Sequence, residues 1–171
     1  LNTGLFDDYE YNKNLQHKGI FKARPCLVRR NFGLCRPLVS VIIPVRNNSF
    51  LFAKSLESVC CQDFPKEKYE VIVVDDDSSD NISKIVYGII KRQAELNIVY
   101  VKCRREKFRG ELKVDRAGPI RNKGAAESLG KILIFLDSDL VVKKDFVSLH
   151  VNSHNLENEV EHEVNFKDIS I

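Results

Sequence analysis

Two aspartates one residue apart, Asp137 and Asp139, follow an apolar run from Ile132 to Leu136. The run reads as a strand buried on both faces, and the crevice outside strand ends is where open α/β sheets place their ligands. Side chains alternate in direction along a strand, so both carboxylates are expected on one face with Ser138 turned away. Two hard oxygen donors on one face suit Mg or Mn, which bind through one or two carboxylates and complete their shell with water and substrate phosphates. Taken alone, the D-x-D also fits a polar strand exit that caps the next helix.

The same design occurs upstream, where Tyr69 to Val74 runs into Asp75, Asp76, Asp77 and, three residues on, Asp80. Adjacent like charges are costly unless they accept hydrogen bonds, hold a cation or recognise a donor on a ligand. Ser78, Ser79 or Asp80 can cap a helix starting near Asn81, so Asp80 is assigned to capping, and Asp75 and Asp76 remain as site candidates.

These acids must be positioned by the elements around them. Leu38 to Pro44 reads as a strand, stopped by Pro44 because proline cannot donate to the ladder. Phe50 to Gln62 carries Leu51, Phe52, Ser55, Leu56 and Val59 on one helical face, with Ser49 as its cap. A strand over 69–74, a helix over 81–96 and a strand over 98–102 follow, giving the β-α-β-α-β rhythm of a parallel sheet. Gly118 to Gly130 reads as a helix with Pro119 in its first turn and Gly130 as its stop; Gly124, Ala125 and Ala126 form a small-residue face for close packing on the sheet. A last helix is expected over 144–154. Residues 1–36 read as an N-terminal extension, 37–155 as the folded domain and 156–171 as a polar tail or the start of a missing half. Neither G-x-G-x-x-G nor G-x-x-x-x-G-K occurs, so dinucleotide and P-loop binding are not supported.

With 171 residues, 43% apolar and 30% charged, the chain fits one soluble α/β domain. No apolar run approaches the roughly 20 residues of a membrane span, and an N-terminus with Asp7, Asp8 and Glu10 is no signal peptide. The expected place is the cytoplasm, with the cytoplasmic face of a membrane as the alternative. A start at Leu1 and the absence of methionine point to a fragment or processed piece. The net charge is +3, but Lys102, Arg104, Arg105, Lys107, Arg109, Lys113, Arg116, Arg121 and Lys123 crowd between the two acidic strand ends. Such a basic flap suits a diphosphate. Nucleic acid fits poorly, because the acidic strand ends would repel its backbone. Cys26, Cys35, Cys60, Cys61 and Cys103 show no C-x-x-C spacing, so neither zinc nor a disulfide framework is indicated and the thiols are read as reduced. His150, His154 and His162 are read as surface residues rather than metal ligands.

Four segments in order, Val39 to Asn47, Val73 to Asp80, Arg121 to Gly124 and Phe135 to Asp139, resemble family 2 glycosyltransferases of the GT-A fold, over their nucleotide-sugar-binding half. The resemblance implies a Rossmann-like, mainly parallel sheet flanked by helices, cut short after the D-x-D strand and the helix that follows. It implies a nucleoside diphosphate sugar as donor, with a lean to UDP, and a glycan, lipid or protein acceptor. The substrate-binding set it implies is Pro44, Arg46, Asp75, Asp76, Arg116, Asp137 and Ser138. In it, Pro44 and Arg46 lie beside the nucleoside, Asp76 recognises the base, and Asp137 sits near ribose and metal. Asp139 is the direct ligand of Mg or Mn, with Asp137 alongside. Two features depart from the family pattern. Asp77 stands where the family has glycine, and the acceptor half is nearly absent, so no acceptor-activating base is assigned.

Three other classes compete. Asp137-Ser-Asp-Leu-Val141 also looks like the nucleophile motif of haloacid dehalogenase-type phosphatases, but that motif opens its domain and here only a short tail follows. A receiver domain would need its aspartate at the end of the third strand, where Lys102 and Cys103 stand. The third alternative is a non-catalytic nucleotide-sugar-binding remnant.

Overall fold

The computed structural model of the chain describes residues 23–29, 36–104 and 116–158. The strands are β1 (Ala23–Arg29), β2 (Val39–Val45), β3 (Tyr69–Asp75), β4 (Asn97–Cys103) and β5 (Ile132–Phe135). The helices are α1 (Ser49–Cys60), α2 (Ile82–Arg92), α3 (Ala117–Glu127) and α4 (Phe146–Asn158), and a 3-10 turn at Lys66–Lys68 precedes β3. The sheet order is β1-β4-β3-β2-β5. The strands β2 to β5 run parallel, and β1 pairs antiparallel with β4 through an irregularity between Pro25 and Leu27. That edge strand falls inside the stretch read as an extension without period. The centre of the basic flap, residues 105–115, and the tail beyond residue 158, with His162, lie outside the described residues.

The helices cover the sheet on both faces because the central strands present apolar side chains to both. Val39, Val41, Ile43, Val71, Val73, Ile98 and Tyr100 pack with Phe52, Leu56 and Val59 of α1, Ile82 and Val86 of α2, and Val147 and Val151 of α4. On the opposite face, Ile42, Ile72, Val74, Val99 and Val101 meet Ile120 of α3. At its closest approach α3 presents Gly124: a Cβ there would collide with Ile42 Cγ2 and lie 3.1 Å from Val74 Cγ2. Gly124→Ala is therefore expected to destabilise the fold by about 1–3 kcal/mol through overpacking, read as a lowered urea midpoint at unchanged slope.

Two strand expectations are corrected. Pro44 does not stop β2 but lies within it, paired in register with Val74. The carbonyls of Ile42 and Val45 accept from Leu136 N and Asp76 N. Even-numbered residues of β2 thus face β5 and odd ones face β3. Pairing with β5 ends at Ile42 and Phe135, where Pro44 has no N–H to donate to the next carbonyl of β5, so the proline sits at the end of that ladder. The strand β5, expected to be buried on both faces, is buried on one. Ile134 and Leu136 join the core, while Leu133 and Phe135 are 39% and 47% exposed, because α3 covers β2 and β3 and leaves that face of the outermost strand open.

Candidate active site

The chain order places β5 on the far side of β2 from β3 and β4, with α1 on one face of the sheet and α3 on the other. This reversal is the switch point beside which open parallel sheets bind ligands at their carboxyl ends. Three loops converge there: 46–48 after β2, 76–81 after β3 and 136–145 after β5.

The two adjacent acids after β3 divide their work. Asp75 is 1% exposed and points into the α1/α2 side of the sheet. Its Oδ2 accepts from the Tyr100 hydroxyl at 2.6 Å, and its Oδ1 accepts from Ser78 N at 2.7 Å. Lys102 Nζ lies 3.8 Å from Oδ2 and donates to the Ser78 carbonyl at 3.1 Å. With both oxygens engaged inside the protein, Asp75 shapes the turn. Asp76, the next residue, sits at the exit, where Arg116 Nη1 lies 3.0 Å from its Oδ1. The two side chains are 7% and 11% exposed, so this ion pair is nearly buried.

The loops after β2 and β3 are stitched together. Asn47 N donates to Ser78 Oγ at 2.8 Å, and Ser79 N donates to Asn47 Oδ1 at 3.0 Å. Asp80, expected to cap α2, instead accepts from Ser49 N at 2.8 Å and so caps α1 from the neighbouring loop; the N-caps of both helices, Asn48 and Asn81, make no side-chain cap bond. Asn47, Asn48 and Asp77 have φ of 57°, 61° and 57°. Aspartate and asparagine tolerate this left-handed region better than other non-glycine residues, so Asp77 can hold the turn that follows β3. Arg46 is exposed and Pro44 half-buried at the same edge.

The D-x-D lies past β5 in a turn, closed by Leu140 N donating to the Asp137 carbonyl at 3.2 Å. Strand alternation therefore does not govern its side chains. Asp137 and Asp139 are exposed and Ser138 is half-buried. Arg121 Nη2 of α3 bonds Asp137 Oδ1 at 2.8 Å. Ile42 is paired with Phe135, and continuing that register sets Asp137 level with Pro44. With strands roughly 4.8 Å apart, the ends of β3 and β5 stand roughly 10 Å apart across β2.

The Glycosyl transferase family 2 model matches residues 40–160 of the chain. The chain belongs to glycosyl transferase family 2. Glycosyltransferase AglE of Haloferax volcanii is 37% identical over 103 residues, covering 60% of this chain and 31% of the relative. The poly(ribitol-phosphate) beta-N-acetylglucosaminyltransferase TarS of Staphylococcus aureus is 33% identical over 108 residues, covering 62% of this chain and 17% of the relative. The crystal structure of S. aureus TarS 1-349 in complex with UDP superimposes with a TM-score of 0.54 at 29% identity, covering 71% of this chain and 32% of that one. The mannosyltransferase PcManGT of Pyrobaculum calidifontis, in complex with GDP-Man and Mn2+, superimposes with a TM-score of 0.55 at 25% identity, covering 77% and 34%. The fold is thus GT-A. The chain spans between 17% and 31% of the length of the two curated relatives named above.

The exposed carboxylates Asp137 and Asp139 are hard oxygen donors of the kind that suit a divalent cation such as Mg. No group of three or more His, Cys, Asp or Glu that could hold a metal is found among the described residues. The exposed Asp137 and Asp139 could thus supply only the one or two carboxylates that Mg needs beside phosphate and water. His150 is exposed and packs edge-on against Phe146, with ring centroids 4.8 Å apart, away from such a role. Cys60, Cys61 and Cys103 are free. Burial raises the Cys60 thiol to about 12 and the Cys103 thiol to about 11, so neither offers a thiolate at neutral pH.

Sequence reading missed the contribution of α1. Ser58 and Gln62 bond the chain that leaves the D-x-D turn, yet polar residues on a helix or just past its end give no periodic signal that separates them from a solvated face. It also missed the pairing of Arg121 with Asp137; the clue was the basic side chain of the R-N-K-G segment.

Proposed function

We propose that this chain carries the donor-binding part of an enzyme that moves a sugar from a nucleoside diphosphate sugar, a UDP-sugar by preference, to an acceptor hydroxyl with inversion. The observation that carries the reading is the convergence of the nearly buried Asp76–Arg116 pair and the exposed Asp137 and Asp139 at the switch point. Asp76 accepts from the base, Pro44 and Arg46 flank the nucleoside, and Arg116 approaches the nucleotide while holding Asp76. Asp137 lies near the ribose, Ser138 belongs to the substrate-binding set, and Asp139, with Asp137 beside it, holds Mg or Mn. Asp75 acts from beneath as the anchor of the turn. The relatives' complexes with UDP, UDP-GlcNAc and GDP-Man, one of them with Mn2+, support a nucleotide-sugar donor and a divalent cation. The bound cation offsets the negative charge of the departing diphosphate. As the acceptor oxygen bonds the anomeric carbon, the bond to the diphosphate oxygen breaks, and the acceptor proton passes to a base not assigned in this chain.

The test is calorimetric titration of the 171-residue chain with UDP, with and without Mn2+, alongside Asp139→Ala. Mn2+ is expected to tighten UDP binding in the native chain, and Asp139→Ala should bind no better with Mn2+ than without it. If UDP binds under neither condition, the reading is wrong. Because no acceptor-activating base is assigned, a donor-binding chain that transfers nothing by itself is the second reading. Release of sugar from a UDP-sugar in the presence of acceptor mixtures separates the two.

No helix among the described residues is long and apolar enough to cross a membrane. The acceptor and any place at a membrane face are open to that same assay, run with soluble and with lipid-borne acceptors.

A further inference from the structure

The turn that carries Asp137 and Asp139 has exposed side chains and lies past a strand with one open face, yet a metal site needs its ligands held in place before the ion arrives. Its two ends are fixed. On the strand side, Leu136 N donates to the Ile42 carbonyl at 2.9 Å. On the far side, the chain from Val142 to Val147 is bonded to the C-terminal end of α1. Val142 N donates to Ser58 Oγ at 3.1 Å, Gln62 Nε2 donates to the Lys143 carbonyl at 2.8 Å, and Val147 N donates to Gln62 Oε1 at 3.0 Å. Asp63 N adds a bond to the Lys144 carbonyl at 2.8 Å.

Both side chains have every donor engaged. Ser58 Oγ also donates to the Ser55 carbonyl at 2.7 Å, and Gln62 Nε2 also donates to the Ser58 carbonyl at 2.9 Å. Gln62, just past the end of α1, is buried at 3% exposure, and its bond to the Ser58 carbonyl ties its amide to that helix, so it can fix another segment in turn. Residues 137 to 141 are thereby a short excursion between two anchors.

We propose that Ser58 and Gln62 are positioning residues for the D-x-D turn, holding Asp137 and Asp139 at the spacing at which a divalent cation and a diphosphate are taken up. The inference rests on the donor-site reading above. Neither residue touches substrate; both act through the backbone of 142–147. Partners of this kind behind metal ligands typically change metal affinity by about 10–100-fold when removed, because the ligands must then be ordered at the moment of binding.

The deciding quantity is the ratio of UDP affinity with Mn2+ to that without it, measured by calorimetry on the 171-residue chain, with the thermal midpoint followed in parallel. Ser58→Ala is expected to lower this ratio about tenfold, the lower end of that range, while metal-free UDP affinity stays within about twofold, since the Asp76 side of the site is untouched. Ser58→Thr, which keeps the hydroxyl, should restore the ratio. Gln62→Met, which fills the space but loses the bonds to Lys143 and Val147, should lower it at least as far; if that variant does not fold, Ser58→Ala decides alone.

A lowered thermal midpoint with an unchanged ratio overturns the proposal, because the clamp would then serve stability only. An equal fall in metal-free affinity overturns it as well, since the whole site would have been disturbed. A native ratio of one, unaltered by Asp139→Ala, overturns the metal-assisted reading itself. A native ratio abolished by Asp139→Ala and untouched by Ser58→Ala leaves that reading standing and removes the clamp.

Discussion

Glu70→Ala is expected to lower the unfolding free energy by about 3–5 kcal/mol, read as a shift of the urea midpoint. Glu70 has no exposed surface, and on β3 it faces the α3 side with Ile72 and Val74. Its Oε1 accepts from Ser40 Oγ at 2.7 Å and from Leu129 N at 2.7 Å, and Ser40 Oγ in turn accepts from Gly130 N at 2.9 Å. The connection from α3 to β5 thus crosses β2 at contact distance: a Cβ on Gly130 would lie 2.6 Å from both Ser40 N and Val39 C. Truncating Glu70 leaves the buried Ser40 hydroxyl and the half-buried Leu129 N–H without this acceptor, at up to about 1–3 kcal/mol each, and opens a void beside them. Glu70→Gln should cost less, because an amide oxygen can still accept from Leu129 N. A loss below about 1 kcal/mol for the alanine variant would mean that water takes over the carboxyl's bonds. The consequence extends to the site, because this connection sets how α3, with Arg116 just ahead of it and Arg121 on it, lies relative to the β5 that leads into Asp137.

What was legible in the sequence was the part governed by local pattern. The runs around Val39 to Val45, Tyr69 to Asp75 and Asn97 to Cys103 are apolar enough to be strands buried on both faces, and Phe52, Leu56 and Val59 recur with a helical period. Acids at the ends of two such strands marked the carboxyl edge of the sheet, where the loops after β2, β3 and β5 converge. What was not legible depends on neighbours far away in the chain. The apolar run at β5 is indistinguishable in composition from a central strand, and only the position of α3 leaves Leu133 and Phe135 open. The strand β1 lies in a stretch without alternation, since its pairing rests on the free side of β4. Asp75 and Asp76 look equivalent in sequence. They part because the strand's alternation turns Asp75 toward Tyr100, while the chain leaves the sheet at Asp76 and meets Arg116. Asp80 has a helix waiting just downstream, yet the stitching of Asn47 to Ser78 and Ser79 brings the start of α1 closer to its carboxylate.

Removing either member of the Asp76–Arg116 pair should cost about 3–5 kcal/mol, because the remaining charge would stay in a nearly closed place. Asp76→Ala leaves the guanidinium, on a side chain only 11% exposed, without the carboxylate that lies 3.0 Å from it. Arg116→Met leaves the Asp76 carboxylate, with Asp75 and Asp77 adjacent in the chain, without the guanidinium that lies 3.0 Å from it. The double variant should therefore be less destabilised than the sum of the two, by a coupling of about 2 kcal/mol or more, measured as a double-mutant cycle of urea unfolding. Additive losses would show that each residue is held by other neighbours and that the contact contributes little. UDP titration of the same variants separates stability from recognition. If Asp76 accepts from the base, the double variant recovers folding but not UDP binding, with or without Mn2+, since no remaining group in the 76–81 loop presents an acceptor from the same place. If instead the pair serves the fold alone, the double variant recovers both. The nucleotide edge of the site is then decided by whether a protein that has regained its stability has also regained its ligand.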